Sequence, residues 1–237
     1  MKIKIFILFS VFYFLFHPIF SQTSDEYISS GIQKSDSGDF AAAIESFSKA
    51  VELNDKNDKA YYLRGDAYSK AKNYAKAVKD FSKAIKLNSS NADAYYERAL
   101  AYAYYGDYPG SIADFNKVIE LKPYFAKAYY NRALSKGFLE DFDAAIKDLD
   151  KSIELDPEYY KAYYNRGYWK ELKGNYQGAI DDHNAALEIN PFFTDAFIAR
   201  AAAKYRAKDK DGACADWKKA TELGSYIAEE LVNQLCE

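Results

Sequence analysis

The chain has 237 residues, 49% hydrophobic, 28% charged and 17% aromatic, with 23 Tyr but only 11 Gly and 5 Pro, which excludes a disordered, collagenous or disulfide-scaffold protein. Its 32 basic and 35 acidic residues give a formal charge of -3 with the signs mixed throughout, so no chain-wide field would hold a polyanion and nucleic acid is not an expected partner. Two His and two Cys leave few parts for a metal site or a nucleophile–base pair.

The chain opens with Lys2 and Lys4, an uncharged apolar run from Ile5 to Phe16, then His17, Pro18 and the polar stretch Ser21, Gln22, Thr23, Ser24 ahead of the first acid, Asp25. This is the layout of a secretory signal peptide over residues 1–21, cut after Ser21, although Ile19 is larger than such sites prefer. The apolar run is short for a bilayer span and Pro18 breaks it, so an uncleaved anchor is the alternative and no stable membrane span is expected after cleavage. The expected destination is the periplasm, the cell envelope or the outside. Losing Lys2 and Lys4 leaves about five net negative charges.

From Ser24 onward the chain repeats every 34 residues without insertion or deletion, in units 24–57, 58–91, 92–125, 126–159, 160–193 and 194–227. Within each unit, apolar and small residues recur at helical spacing in two blocks with a polar break between them, which predicts two antiparallel helices per unit. The sixteenth position, in the break, is Asp39, Asn73, Asp107, Asp141, Asn175 and Asp209, side chains able to cap the second helix. After the sixth unit, Ile227, Ala228, Leu231, Val232 and Leu235 predict a cap helix within 225–237 that covers the open end of the stack.

These residues resemble the tetratricopeptide repeat (TPR) family, whose unit is a 34-residue helix–turn–helix. The fourth position is aromatic (Tyr27, Tyr61, Tyr95, Tyr129, Tyr163, Phe197), the eighth small (Gly31, Gly65, Ala99, Ala133, Gly167, Ala201), the twentieth small (Ala43, Ala77, Ser111, Ala145, Ala179, Ala213) and the twenty-fourth bulky (Phe47, Phe81, Phe115, Leu149, His183, Trp217). Pro123, Pro157 and Pro191 close units three to five, where the first two units have Asp55 and Ser89. The resemblance implies an all-α solenoid, a right-handed superhelix of antiparallel helix pairs. It also implies that first helices line a concave groove and second helices face outward.

Arg64, Arg98, Arg132, Arg166 and Arg200 share the seventh position of units two to six, and Asp80, Asp114, Asp148, Asp182 and Asp216 share the twenty-third. Unit one has Ser30 and Ser46 at these places. Joint presence and joint absence predict an ion pair across the two helices; the other reading is a basic stripe for an acidic ligand, which the aspartates would neutralise. His183, where other units place Phe, Leu or Trp, reads as a packing residue and not a metal ligand. Cys214 and Cys236 would form a disulfide tying the cap to the last unit, worth about 3 kcal/mol by chain entropy, or two buried thiols.

Candidate ligand contacts fall on the first helices of units two to five. The fifth position gives Tyr62, Tyr96, Tyr130 and Tyr164, the second Lys127 and Lys161, the sixth Asn131 and Asn165, and further along stand Leu134, Phe138, Tyr168 and Leu172. Tyr brings apolar area with a polar tip, and Asn can both donate to and accept from a peptide backbone. The Tyr ladder could equally serve only to pack one first helix on the next. Some TPR proteins hold a chaperone's C-terminal carboxylate with Lys and Asn, but the clamp residues are incomplete here and an exported chain would not meet that ligand. The expected function is a non-catalytic scaffold that binds a protein or extended peptide, without cofactor or metal. A glycan-binding or cell-wall-associated module is the alternative, and an enzyme accessory the third.

Overall fold

The computed structural model describes residues 22–236; the leader expected at 1–21 lies outside them apart from its junction. The described residues form thirteen α-helices and no strand. Six antiparallel pairs follow the 34-residue units: α1 (Ser24–Asp36) with α2 (Phe40–Leu53), α3 (Asp58–Lys70) with α4 (Tyr74–Leu87), and α5 (Ala92–Tyr105) with α6 (Tyr108–Leu121). Next come α7 (Ala126–Phe138) with α8 (Phe142–Leu155), α9 (Tyr160–Leu172) with α10 (Tyr176–Ile189), and α11 (Thr194–Arg206) with α12 (Lys210–Glu222). The last helix is α13 (Tyr226–Leu235). Each helix packs on its neighbours in the chain, and each first helix also touches the next first helix through α9 and α11, so the core is a strip and not a ball.

Local chemistry at the break sets the pairing. In all six units the sixteenth-position Asp or Asn accepts from a backbone amide three residues on, for example Asp39 from Ala42 at 3.0 Å and Asp141 from Ala144 at 3.2 Å. The preceding residue is left-handed every time, with glycine in half the units (Gly38, Gly106, Gly174) and Lys72, Glu140 and Lys208 in the others. A side chain at positive φ costs about 1 kcal/mol, so geometry and not composition fixes this turn. First helices start in two ways. Asn57 and Asn91 cap α3 and α5 with their side chains, whereas Phe125, Tyr159 and Phe193 stand at the start of α7, α9 and α11 with no side-chain cap.

Between the two helices of a unit, the eighth and twenty-fourth positions interlock. Phe47, Phe81, Phe115 and Leu149 are fully buried, and a Cβ built on Gly31 or Gly65 would stand 2.5 Å from the Phe47 ring or 2.9 Å from that of Phe81. In unit five, Gly167 faces His183, where an added Cβ meets Cε1 at 2.8 Å and the Ala179 carbonyl at 3.1 Å. Gly167→Leu should therefore overpack this contact and lower stability by about 1–3 kcal/mol, measured by urea unfolding followed by helical circular dichroism.

The predicted ion pairs form in all five units. Arg64, Arg98, Arg132, Arg166 and Arg200 each grip the partner aspartate with two nitrogens, as in Arg132 Nε to Asp148 Oδ2 at 2.8 Å and Nη2 to Oδ1 at 2.6 Å. Their remaining Nη1 reaches back to the second helix of the preceding unit, onto Ser48, Ser82, Asn116, Asp150 and Asn184 in turn. Each arginine thus clamps its own unit and ties it to the one before. In unit one, Lys34 Nζ donates to Ser46 Oγ at 2.8 Å instead. At the other end α13 covers α12, with Ser225 accepting from the Ala228 amide, and Cys214 and Cys236 are joined by a disulfide with their Cα atoms 5.7 Å apart.

Candidate functional site: the first-helix groove

The fifth-position tyrosines are engaged within the array. Tyr62 leans on Phe81 at 5.8 Å, Tyr96 on Phe115 at 5.7 Å and Phe125 at 5.1 Å, Tyr130 on Tyr159 at 4.7 Å, and Tyr164 on His183 at 5.7 Å and Phe193 at 5.0 Å. Phe125, Tyr159 and Phe193 therefore trade a capping hydrogen bond for ring packing under this ladder. Asn131 and Asn165 are tied in as well. Each donates to the hydroxyl of the preceding unit's tyrosine, Tyr96 at 2.9 Å and Tyr130 at 3.1 Å, and to the carbonyl of Lys127 or Lys161 one turn back. Burial pushes the hydroxyls of Tyr62, Tyr96 and Tyr130 up to about 12, so they stay protonated at any physiological pH. Of the tyrosine, asparagine and lysine candidates, Lys127, Lys161 and Tyr168 are the solvent-exposed ones; the others sit half-buried between successive first helices.

The open part of the groove lies further along the same helices, at the ninth and thirteenth positions. Tyr104, Phe138, Tyr168 and Leu172 are 70%, 66%, 45% and 47% exposed. Two of these rings are held flat by the preceding second helix: Tyr104 stacks on Tyr74 at 5.1 Å and 17°, and Phe138 on Tyr108 at 4.8 Å and 9°. Depressions open between neighbouring first helices. One of about 310 Å³ is lined by Leu100, Tyr104, Tyr108, Leu134 and Phe138. The next, about 320 Å³, is lined by Leu134, Phe138, Phe142, Tyr168, Trp169 and Leu172. A third, about 390 Å³, continues through Tyr168, Leu172, Ile198 and Ala202 to Ile227 of the cap helix. Adjacent depressions share their walls, so units three to six present one continuous apolar strip. Gly137 permits this floor, because any side chain there would enter the Trp169 ring.

Charge is distributed unevenly along the strip. At the far end Glu171, 6% exposed, is paired with Arg206 at 2.7 Å. At the near end a depression of about 470 Å³ carries Asp66, Ser69, Lys70, Lys72 and Glu97 beside Leu100 and Tyr104. Among the described residues no group of three His, Cys, Asp or Glu side chains has metal-binding geometry. Leu100 and Tyr104 are lining residues that sequence reasoning missed, although they occupy the same registers as Leu134 and Phe138.

Comparison with known families agrees with this geometry. The tetratricopeptide repeat model matches residues 58–91, 92–125, 126–159 and 160–193, and a TPR repeat model matches 35–72. The chain belongs to the tetratricopeptide repeat family. The sixth unit lies outside these matches and is placed by its helix pair and its Arg200–Asp216 clamp. Solved structures share the TPR architecture: MamA at 27% identity, TM-score 0.66, over 68% of this chain and 94% of that one; YrrB at 22%, TM-score 0.67, over 81% and 100%; and PilW at 17%, TM-score 0.76, over 88% and 98%. No curated protein matches the sequence. TPR proteins bind protein or peptide partners, and among the described residues no helix is long and apolar enough to cross a membrane.

Proposed function

We propose that this TPR protein is a non-catalytic scaffold, exported to the cell envelope or beyond, that holds an extended segment of another protein along its first-helix groove. The observation that carries the reading is the exposed apolar strip from Tyr104 through Phe138 to Tyr168 and Leu172, which the array leaves uncovered while burying comparable rings elsewhere. A contiguous apolar patch lined by rigidly stacked rings is what a recognition surface needs, because little side-chain freedom is lost when a ligand arrives. YrrB, which shares the fold, is a TPR protein with an unusual peptide-binding site. Lys127 and Lys161, exposed at the second position, would contact the partner from the rim, while Tyr96, Tyr130, Asn131 and Asn165 hold the wall. The export part of this reading rests on the leader that the sequence predicts over residues 1–21.

The test is affinity capture from envelope extract with the wild-type protein and with a Phe138→Ala, Tyr168→Ala double variant. The variant gives up the Phe138–Tyr108 stack and should lose about 1–2 kcal/mol in urea unfolding while staying folded, yet lose at least about tenfold of its captured partner. Equal capture by both proteins would remove the groove from the explanation.

A further inference from the structure

We propose that the segment held in the groove is basic as well as apolar: a Lys or Arg of the partner pairs with Glu97 between units two and three, and apolar side chains beyond it settle over Leu134, Phe138 and Tyr168. The inference rests on the groove reading above and adds the partner's chemistry.

Glu97 occupies the register in which Asn131 and Asn165 tie their units to the preceding tyrosine. As a carboxylate it cannot donate that bond, and it makes no hydrogen bond or ion pair with any described residue, although it is half-buried. The charged groups facing it are Asp66 and Lys70 on α3, which bind each other at 2.8 Å, and Asp93 on its own helix, which is paired with Lys122 at 2.7 Å. Each of those cations is matched by its own acid. Glu97 has no such partner; Lys72, on the rim of the same depression, has none among the described residues either, but the charges that act on Glu97 are Asp66, Lys70 and Asp93. The depression that it lines shares Leu100 and Tyr104 with the apolar strip, so a single extended chain can reach both. A cation arriving there would supply the counter-charge that the fold withholds from Glu97, whereas a carboxylate would face both Glu97 and Asp66. Burial, with Asp66 and Asp93 adding repulsion, pushes Glu97 up to about 7. Its charge, and with it the attraction, should therefore grow as pH rises through neutrality.

The experiment uses fluorescein-labelled short peptides in which Lys or Arg is followed by Leu and Phe, against matched peptides carrying norleucine or Glu in place of the cation. Fluorescence anisotropy is read with the wild-type protein, Glu97→Gln and Phe138→Ala, at about pH 6 and about pH 8, either side of the Glu97 transition. Basic peptides should bind wild type about tenfold more tightly than their norleucine partners at the higher pH, and less so at the lower. Glu97→Gln should erase the preference at both pH values while keeping wild-type thermal stability or gaining some. Phe138→Ala should weaken basic and neutral peptides alike. If norleucine or Glu peptides bind wild type as well as basic ones, or Glu97→Gln keeps the preference, the pairing is wrong and the groove reading stands. If no peptide binds and Phe138→Ala changes nothing, both are wrong.

Discussion

Asp148→Ala should destabilise the protein by about 3–5 kcal/mol, a loss shared by the equivalent Asp182 and Asp216, each of which also receives an arginine and a lysine. The Asp148 side chain is only 8% exposed and receives both Arg132 and Lys136, the latter at 2.8 Å. Removing it leaves the arginine, itself 16% exposed, without a carboxylate, held only by Asn116 of the preceding unit and the Tyr129 ring. The matching change in unit one, Ser46→Ala, removes the hydrogen bond from Lys34 and the one that Ser46 donates to the Ala42 carbonyl, and should cost about 1 kcal/mol. Urea unfolding followed by circular dichroism compares the two directly. Arg132→Ala combined with Asp148→Ala should cost clearly less than the sum of the single changes, because both single changes break the same Arg132–Asp148 contact. Additive losses would mean that the pair does not act as a unit.

The second large effect is a loss of stability in mild acid caused by one residue. His183 is fully buried and neither ring nitrogen has a hydrogen-bond partner. Burial lowers its pKa to about 4; the charges around it are Asp182, Arg200 and Asp216, with the acids pulling upward and the arginine downward. Because the folded-state value lies below the unfolded one of 6.5, the unfolded chain takes up the proton first. Stability is thus complete above about pH 6.5 and falls as pH drops towards 4, by about 3 kcal/mol in all. His183→Phe should remove this slope and raise stability at every pH. The ring has a precedent in the same setting, since Gly31 with Phe47 and Gly65 with Phe81 already use the glycine–phenylalanine combination that the change would create opposite Gly167. Thermal melts at several pH values test this, with Trp217 of the next unit as a fluorescence reporter. An unchanged slope in the variant would assign the acid sensitivity to other groups.

Much of the fold was legible because the relevant chemistry repeats. The sixteenth-position caps, the small eighth position and the Arg–Asp clamp recur in register, so the periodicity alone selects them. The third contact of each arginine was not visible, because its acceptors, Ser48, Ser82, Asn116, Asp150 and Asn184, share only the ability to accept a hydrogen bond. The left-handed residue before each cap was hidden for a related reason: Lys72, Glu140 and Lys208 give no hint of a conformation that Gly38 and Gly106 would betray. In the groove, the sequence could not separate a tyrosine that packs from one that waits for a ligand. The deciding partners, Phe125, Tyr159 and Phe193, are about thirty residues downstream and look like helix-start residues. Leu100 and Tyr104 carry no polar signature in unit three like that of Lys127 and Asn131 in unit four, so only their shared register with Leu134 and Phe138 marks them. Glu97 stands alone in its register, and only its lack of a partner marks it.

The two ends of the array are not secured alike. Unit one has serine where every other unit has the arginine clamp, and among the described residues it has no preceding helix pair to grip, whereas the other end is tied between Cys214 and Cys236. Fraying therefore has a direction. Thermal breathing should begin at α1 and travel unit by unit towards a sealed end, so that a protease would encounter the molecule as a rope loose at one tip and spliced at the other.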